Sequence, residues 1–135
     1  MELVNQMTVA EEDIDIFGHM NYRRYIEHFE KARADWFVEI GIPYAVMAER
    51  GMAVVILKLD IAYRKETRIG DRLTIKTVPE KMGTKSFSLK QEIYNEAGDF
   101  MTETNCTFVM LNTETRKSMP VVEEIARHFP VNVQS

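Results

Sequence analysis

Apolar side chains recur at steps of three and four residues in the segment from Tyr22 to about Ile40. The stripe consists of Tyr22, Tyr25, Ile26, Phe29, Ala32, Trp36 and Phe37. This period predicts an amphipathic helix of about five turns. Asn21 can cap its first turn, because an asparagine side-chain oxygen accepts a free amide hydrogen there. Gly41 followed by Pro43 predicts its end.

Alternation of apolar and polar residues, which is typical of strands, dominates much of the remaining chain. It predicts strands over residues 2–10 and 53–64, and three more that follow turns at 70–71, 82–84 and 95–99. The side chains expected to face inwards in the last three strands are Leu73, Ile75, Val78, Phe87, Leu89, Ile93, Phe100, Cys106, Phe108 and Met110. Because short turns separate the four later strands, we expect them to form an antiparallel meander.

The apolar face of this sheet has to be buried against another layer, and only the helix at 22–40 is long and apolar enough. We therefore expect an α+β fold in which an antiparallel sheet of about five strands is wrapped around one long central helix. Residues 1–135 would form a single domain. Short helices are expected at 44–50 and from Pro120 to about His128. The open sheet edges predict a homo-oligomer, either a dimer or a tetramer.

Composition narrows the possible partners. A hydrophobic fraction of 45% and a charged fraction of 28% are typical of a soluble globular protein, and a net charge of -4 argues against nucleic acid as a partner. No apolar run approaches the roughly 20 residues of a membrane span, and the N-terminus lacks a secretory pattern. We expect a cytoplasmic protein without a membrane partner. The single cysteine, Cys106, fits a reducing compartment and is interpreted as a core residue.

The segment from Asp13 to Tyr22 places two carboxylates, an imidazole and an amide side chain just before the predicted helix. A helix N-terminus offers unpaired amides and a positive dipole end, which can stabilise the oxyanion formed during attack on an acyl carbonyl. A nearby carboxylate such as Asp15 can attack the carbonyl or activate a water molecule. Gly18 would allow the backbone to approach a ligand closely. However, Asp, Asn and Gly are also ordinary loop and capping residues, and spacing alone does not separate these interpretations.

The same segment could in principle bind a metal ion through Asp13, Asp15 and His19. No second histidine lies nearby at ligand spacing, and His28 is far along the helix. We therefore expect neither a metal ion nor a cofactor.

A longer motif extends this segment into the helix. It reads Asp13-x-Asp15-x-x-Gly18-His19-Met20-Asn21, followed by Tyr25 and Glu30-x-Ala32-Arg33. This motif resembles the signature of the 4-hydroxybenzoyl-CoA thioesterase-like family, and the order of elements and the turn at 49–51 extend the resemblance over nearly the whole chain. The resemblance implies a hotdog fold and hydrolysis of an acyl-coenzyme A thioester to a free acid and coenzyme A. It does not specify the acyl group.

The resemblance also implies roles for individual residues. Asp15 corresponds to the catalytic carboxylate, which acts as nucleophile or general base. The backbone amide at or next to Tyr22 corresponds to the group that polarises the carbonyl. Thr84, Lys85 and Ser86 resemble the turn that contacts the nucleotide and phosphates of coenzyme A.

Other residues keep more than one interpretation. His19 could contact the thioester, orient the catalytic carboxylate or simply pack in the loop. Arg64 and Lys65 are weaker candidates for phosphate contact. Glu30 and Arg33 are interpreted as a pair on the helix surface or at a subunit interface.

Two alternative functions remain open on the same fold. A thioesterase acting on acyl carrier protein would use the same carbonyl chemistry but would need a basic patch for the carrier's acidic helix. A non-catalytic acyl-CoA-binding module would not need Asp15. A hotdog dehydratase fits less well, because its acid lies on the central helix of the partner subunit.

Overall fold

A computed structural model of the chain describes residues 1–130. The strands are β1 (Leu3–Thr8), β2 (Met52–Tyr63), β3 (Arg72–Met82), β4 (Ser86–Asn95) and β5 (Phe100–Asn112). The helices are α1 (Tyr22–Glu39), α2 (Tyr44–Glu49) and α3 (Glu123–Ala126), and a 3-10 turn spans Glu11–Asp13. The helix predicted at 22–40 is confirmed to within one residue at its end. The prediction of a C-terminal helix beginning at Pro120 is wrong, because only the four residues of α3 are helical there.

The sheet is antiparallel and has the strand order β1-β3-β4-β5-β2. Strands β3, β4 and β5 form the expected meander, but β2 pairs with β5 at the far edge and not with β3, so the four-strand meander is wrong. The connection at residues 64–71 therefore crosses from one part of the sheet to another. It passes the start of α1, where the Met20 amide donates to the Thr67 carbonyl at 2.9 Å. This crossing segment supplies one wall of the site described below.

Helix α1 packs along the inner face of the sheet and forms two clusters with it. At its C-terminal end, Trp36 and Phe37 pack with Phe87 and Phe108. At its N-terminal end, Tyr25 and Phe29 lie in a cluster with residues from the start of β3 and the end of β4. Burial of each such aromatic side chain stabilises the fold by about 2 kcal/mol. The contacts show that α1 runs parallel to the strand axes, with its N-terminus beside the beginning of β3.

Two of the side chains predicted to face inwards do not do so. In β3 the buried row continues to Thr77, and Val78 lies on the other face and is half-buried. In β5 a register shift opposite Ile93 changes the phase of the strand. Phe100 therefore stacks on Tyr94 on the outer face, with ring centroids 5.4 Å apart.

Within residues 1–130, no helix has the length and apolar character needed to cross a membrane.

Arg33 corrects a further expectation, because it is neither a surface residue nor paired with Glu30. Its side chain is 2% exposed, and its Nη1 donates to Gln91 Oε1 at 3.0 Å. Gln91 Nε2 in turn donates to the Phe29 carbonyl at 3.0 Å and to Thr77 Oγ1 at 3.1 Å. A buried polar cluster therefore joins α1 to the middle of the sheet.

Candidate active site

The loop between the 3-10 turn and α1 is closed by its own backbone hydrogen bonds. The Asp15 amide donates to the His19 carbonyl at 3.0 Å, and the Gly18 amide donates to the Asp15 carbonyl at 3.1 Å. Gly18 has a φ of +85°, a left-handed conformation that favours glycine. The Asn21 amide donates to the Asp13 carbonyl at 2.8 Å and closes the base of the loop. Asp15 is thus presented on a defined turn.

The side chain of Asp13 holds the base of this loop against α1. It is 2% exposed and accepts hydrogen bonds from the Ala10 amide (2.9 Å), Arg24 Nε (2.8 Å) and His28 Nε2 (3.0 Å). Burial alone would raise the pKa of the Asp13 carboxyl, but the hydrogen bonds from Ala10, Arg24 and His28 outweigh it and lower the pKa. The sequence motif includes Asp13 but does not predict that it holds the loop against α1. Its partners Arg24 and His28 lie 11 and 15 residues further along the chain.

The two carboxylate oxygens of Asp15 have different surroundings. Oδ1 accepts a hydrogen bond from the Phe17 amide at 2.8 Å. Oδ2 lies 3.8 Å from His19 Nδ1, and the Asp15 side chain is 23% exposed. The first oxygen is therefore fixed by the turn, whereas the second faces the imidazole and is open to a reacting group.

The first turn of α1 leaves one backbone donor unused. Asn21 caps the helix as predicted, because its Oδ1 accepts the Arg23 amide at 2.9 Å. The Asn21 carbonyl accepts the amides of Arg24 and Tyr25 at 2.9 and 3.4 Å. Among the hydrogen bonds of residues 1–130, none uses the Tyr22 amide. This N–H remains available for a ligand, as expected at a helix N-terminus.

A cleft of about 320 Å³ lies beside Asp15 and the start of α1. It is lined by Asp15, His19, Met20, Tyr22, Tyr25, Tyr63, Arg64, Lys65 and Glu66. The three residues predicted to be catalytic are thus brought together. Tyr22, expected in the buried stripe of α1, instead has a side chain that is 61% exposed at this cleft. Glu66 was not predicted as a site residue, because the predicted meander makes residues 64–71 a simple turn between two neighbouring strands.

One wall of the cleft is apolar and aromatic. The rings of Tyr25 and Tyr63 meet edge to face, with centroids 5.1 Å apart, and Met20 is buried beside them. The Tyr25 hydroxyl lies 3.1 Å from Thr67 Oγ1 in the crossing segment. Burial raises the pKa of the Tyr63 phenol, which therefore stays uncharged at neutral pH. Such a wall suits an apolar acyl group.

Two basic residues stand at the opening of the cleft. The backbone amides of Arg64 and Lys65 both donate to the Met101 carbonyl, at 2.9 and 3.0 Å. Arg64 Nη2 contacts Glu103 Oε1 at 2.6 Å, and its guanidinium lies 5.0 Å from the centroid of the Phe100 ring. These contacts fix the position of the cationic side chain at the rim, where an anionic part of a ligand could bind.

Thr84, Lys85 and Ser86 lie far from this cleft in the same chain. They form the turn between β3 and β4, where the Gly83 amide donates to the Ser86 carbonyl at 2.8 Å and the Lys85 carbonyl accepts the Met110 amide at 3.0 Å. The turn follows the end of β3, whereas the connection at residues 64–71, which lines the cleft, leads into its start, about 30 Å away along the strand. Within one chain, the predicted catalytic residues and the turn predicted to contact coenzyme A therefore do not lie in the same cleft.

A larger depression, of about 490 Å³, lies between β1, the start of β3 and the turn after β4. Arg72 and Glu96 are the charged residues of its lining. It lacks the free helix amide and the adjacent carboxylate that make the smaller cleft suited to carbonyl chemistry.

Comparison with known proteins places these features in a family. Residues 9–129 match the model of the Thioesterase-like superfamily. The chain is 30% identical over 121 residues to the long-chain acyl-CoA thioesterase FadM of Escherichia coli strain K12, covering 89% of this chain and 91% of FadM. It is 25% identical over 121 residues to the 1,4-dihydroxy-2-naphthoyl-CoA hydrolase of Thermosynechococcus vestitus, covering 89% of this chain and 83% of that protein.

Solved structures give the same architecture. The protein SAV2348 from Staphylococcus aureus, solved in complex with CoA, has a TM-score of 0.88 at 18% identity and covers 100% of this chain and 90% of its own. This similarity concerns the fold alone. The sheet around a long central helix confirms the hotdog fold, and the sequence relatives confirm the expected thioester hydrolase. The chain belongs to the Thioesterase-like superfamily.

Proposed function

We propose that the cleft beside Asp15 hydrolyses acyl-coenzyme A thioesters to a free acid and coenzyme A. The observation that carries this proposal is that Asp15, whose Oδ2 is not fixed by the turn, and Tyr22, whose amide is unused, line the same cleft. One group can act on the carbonyl carbon while the other stabilises the negative charge that develops on the carbonyl oxygen. The apolar wall would hold the acyl group, and the basic rim would meet the anionic part of coenzyme A.

Two routes are compatible with this geometry. In the first, Asp15 Oδ2 takes a proton from a water molecule while the water oxygen bonds to the carbonyl carbon. The carbon–sulfur bond then breaks, and the coenzyme A thiolate accepts a proton on release. In the second, Oδ2 itself bonds to the carbonyl carbon and expels the thiolate, and water then hydrolyses the resulting anhydride.

Oxygen labelling can identify the second route. In a single turnover in ¹⁸O-water, the first route places one label in the product acid and none in the protein. The second route places label in the Asp15 carboxylate when water attacks the aspartyl carbon of the anhydride. Label found by mass spectrometry in the peptide that contains Asp15 would therefore establish the anhydride route.

The central test replaces the carboxylate by an amide of the same shape. Asp15→Asn is expected to reduce kcat by about 100-fold or more, because the amide can neither accept the proton nor attack. Thermal unfolding should be unchanged, since the Asn side chain can still accept the Phe17 amide. A variant that kept near-normal turnover would show that Asp15 is not the catalytic group.

The remote turn suggests that the complete site is shared between two copies of the chain. Within one chain, the length of β3, about 30 Å, separates the turn with Lys85 from the connection that lines the Asp15 cleft. Lys85 is therefore poorly placed to contact the phosphates of a thioester that reacts at Asp15 of the same chain. A second copy could bring its own turn at 84–86 to the rim formed by Arg64 and Lys65. In this arrangement both groups of basic residues would contact the coenzyme A moiety.

The free edge of β2 is the surface that we propose for this pairing. Val55, Ile56 and Leu57 are 41%, 49% and 68% exposed, an unusual apolar run for a strand edge that faces water. Pairing of two β2 edges would continue the antiparallel sheet across a two-fold axis and cover these side chains. The proposed state is a homo-oligomer built from such dimers.

A charge on this edge should disrupt the pairing. Leu57→Lys is expected to yield monomers in analytical ultracentrifugation and to lose most activity, because it places a cation at the buried centre of the pair. Val4→Lys is the matched control, since Val4 is 50% exposed on β1, the other edge strand. If Leu57→Lys kept the wild-type sedimentation coefficient, the β2 interface would be excluded.

Substrate choice can be settled by direct comparison. The two relatives described above are named for a long-chain acyl and an aromatic acyl substrate, so both classes belong in a panel of acyl-CoA esters followed by thiol release. The same acyl groups on acyl carrier protein would test the carrier alternative. Binding of acyl-CoA without thiol release from any substrate would instead support the non-catalytic module.

A further inference from the structure

His19 lies between two carboxylates of the cleft. Its Nδ1 is 3.8 Å from Asp15 Oδ2, and its Nε2 is 3.9 Å from Glu66 Oε2. The two nitrogens of the ring therefore face two different acids. These separations exceed a direct hydrogen bond, and catalytic contacts of this kind commonly shorten when a ligand binds.

Each of these acids is held through its other oxygen. Asp15 Oδ1 accepts the Phe17 amide at 2.8 Å, and Glu66 Oε1 pairs with the Arg68 guanidinium. In both carboxylates the remaining oxygen points towards the imidazole. The arrangement is therefore one in which both acids are oriented around His19 by independent donors.

The segment that carries Glu66 is fastened to the Asp15 loop and to α1 at the adjacent residue. Thr67 is completely buried, its carbonyl accepts the Met20 amide at 2.9 Å, and its Oγ1 lies 3.1 Å from the Tyr25 hydroxyl. The turn then closes where the Arg68 amide donates to Asp71 Oδ2 at 2.8 Å. Glu66 is thus placed beside His19 by a defined backbone path, although its own side chain is 48% exposed.

We propose that Glu66 is a positioning residue for the thioesterase reaction, which acts by holding His19 with Nδ1 towards Asp15 Oδ2. The inference rests on the proposed function of the Asp15 cleft. A contact at Nε2 fixes both the rotation of the ring and which nitrogen faces Asp15. Without it, the imidazole can turn away from Asp15 Oδ2. Glu66 itself contacts no reacting atom in this scheme.

The proposal predicts a loss of turnover without a loss of substrate binding. Glu66→Ala is expected to lower kcat about tenfold while KM stays within about twofold, because the acyl and coenzyme A contacts are retained. Glu66→Gln should recover most of this loss, since its amide oxygen reaches as far and still accepts from Nε2. Glu49→Gln, which also removes one negative charge but lies on α2 at the other end of α1, serves as the control for net charge.

The decisive measurement is a double-mutant cycle with His19. In a His19→Ala background, Glu66→Ala should change kcat less than twofold, because the residue through which it acts is gone. An equal loss in both backgrounds, or no loss in the wild-type background, would overturn the positioning role. So would a Gln variant as slow as the Ala variant. Failure of the proposed thioesterase function would give a different result from failure of the positioning role. In that case the wild-type protein would release no thiol, or Asp15→Asn would remain active.

Discussion

Arg24 Nε donates a 2.8 Å hydrogen bond to Asp13 Oδ1 and so joins the first turn of α1 to the base of the loop that carries Asp15. The same oxygen lies 3.0 Å from His28 Nε2, one turn further along the helix. The position of the Asp15 loop relative to the free amide at the start of α1 therefore depends on the buried side chain of Asp13. Asp13 thus holds in place the loop that carries Asp15, the carboxylate proposed to be catalytic.

Replacement of Asp13 by Asn should cost about 2 kcal/mol in the free energy of unfolding, because a buried, charge-assisted set of hydrogen bonds is weakened. Urea denaturation at pH 7 measures this difference. Asp35→Asn is the matched control on the same helix. Among the described residues 1–130, Asp35 accepts a single neutral side-chain bond, from Asn5 at 3.1 Å, and its replacement should cost less than about 0.5 kcal/mol. Equal losses in the two variants would contradict the role assigned to Asp13.

The same network predicts how stability depends on pH. Because the pKa of Asp13 is lowered in the folded state from its ordinary value of 3.8, the folded protein binds the proton less readily than the unfolded chain. The stabilisation is therefore fully present above about pH 5 and is lost as the pH falls through the folded-state pKa. The stability difference between wild type and Asp13→Asn should shrink as the pH falls below about 4. A difference that grew below that pH would reverse the sign of the shift.

Local periodicity was sufficient to predict α1 and the five strands, but not which strands are neighbours in the sheet. The three- and four-residue steps predicted α1 within one residue, and the turns at 82–84 and 95–99 predicted β3, β4 and β5. The partner of β2 could not be read in the same way, because pairing with β5 depends on a crossing connection and not on any local pattern. The exposure of Ile56 and Leu57 follows from that edge position.

The same distinction between local pattern and distant contact applies to the candidate site. Asp15, His19 and Tyr22 are close in sequence, and the motif brought them together. Glu66 reaches the cleft only through the crossing segment, and no spacing rule connects it to His19. The charge of Arg33 predicts a position on the helix surface or at a subunit interface, because a charged residue on a helix is usually exposed. Its actual partner, Gln91, is 58 residues away and could not be predicted from local sequence.

The buried contact between Arg33 and Gln91 gives a further prediction. Gln91→Leu should destabilise the protein by about 3 kcal/mol, because it removes the acceptor of a buried guanidinium whose Nε already has no partner within residues 1–130. The double variant Arg33→Met, Gln91→Leu should recover much of the loss, since no buried charge then remains. Urea denaturation of Gln91→Leu, Arg33→Met and the double variant measures the effect. Simple additivity of the two single substitutions would show that the residues do not act as a pair.

A mixed oligomer can test whether Lys85 serves the Asp15 of its own chain or that of a partner. Lys85→Ala alone should raise KM for an acyl-CoA ester more than it lowers kcat, with little effect on a short thioester that lacks the nucleotide. Asp15→Asn alone should be inactive. In a dimer with one chain of each kind, the surviving Asp15 belongs to the chain without Lys85, and the intact Lys85 belongs to the chain without Asp15.

If the site is shared between chains, this mixed dimer contains one complete site and one that lacks both residues. Co-expression of the two chains with different affinity tags, followed by purification on both, would isolate it. We expect the wild-type KM with about half the wild-type kcat per dimer, because only one of the two sites works. A site built within one chain would instead retain the raised KM of Lys85→Ala in the mixed dimer. The comparison needs no knowledge of the acyl group, since each dimer is measured on the same ester.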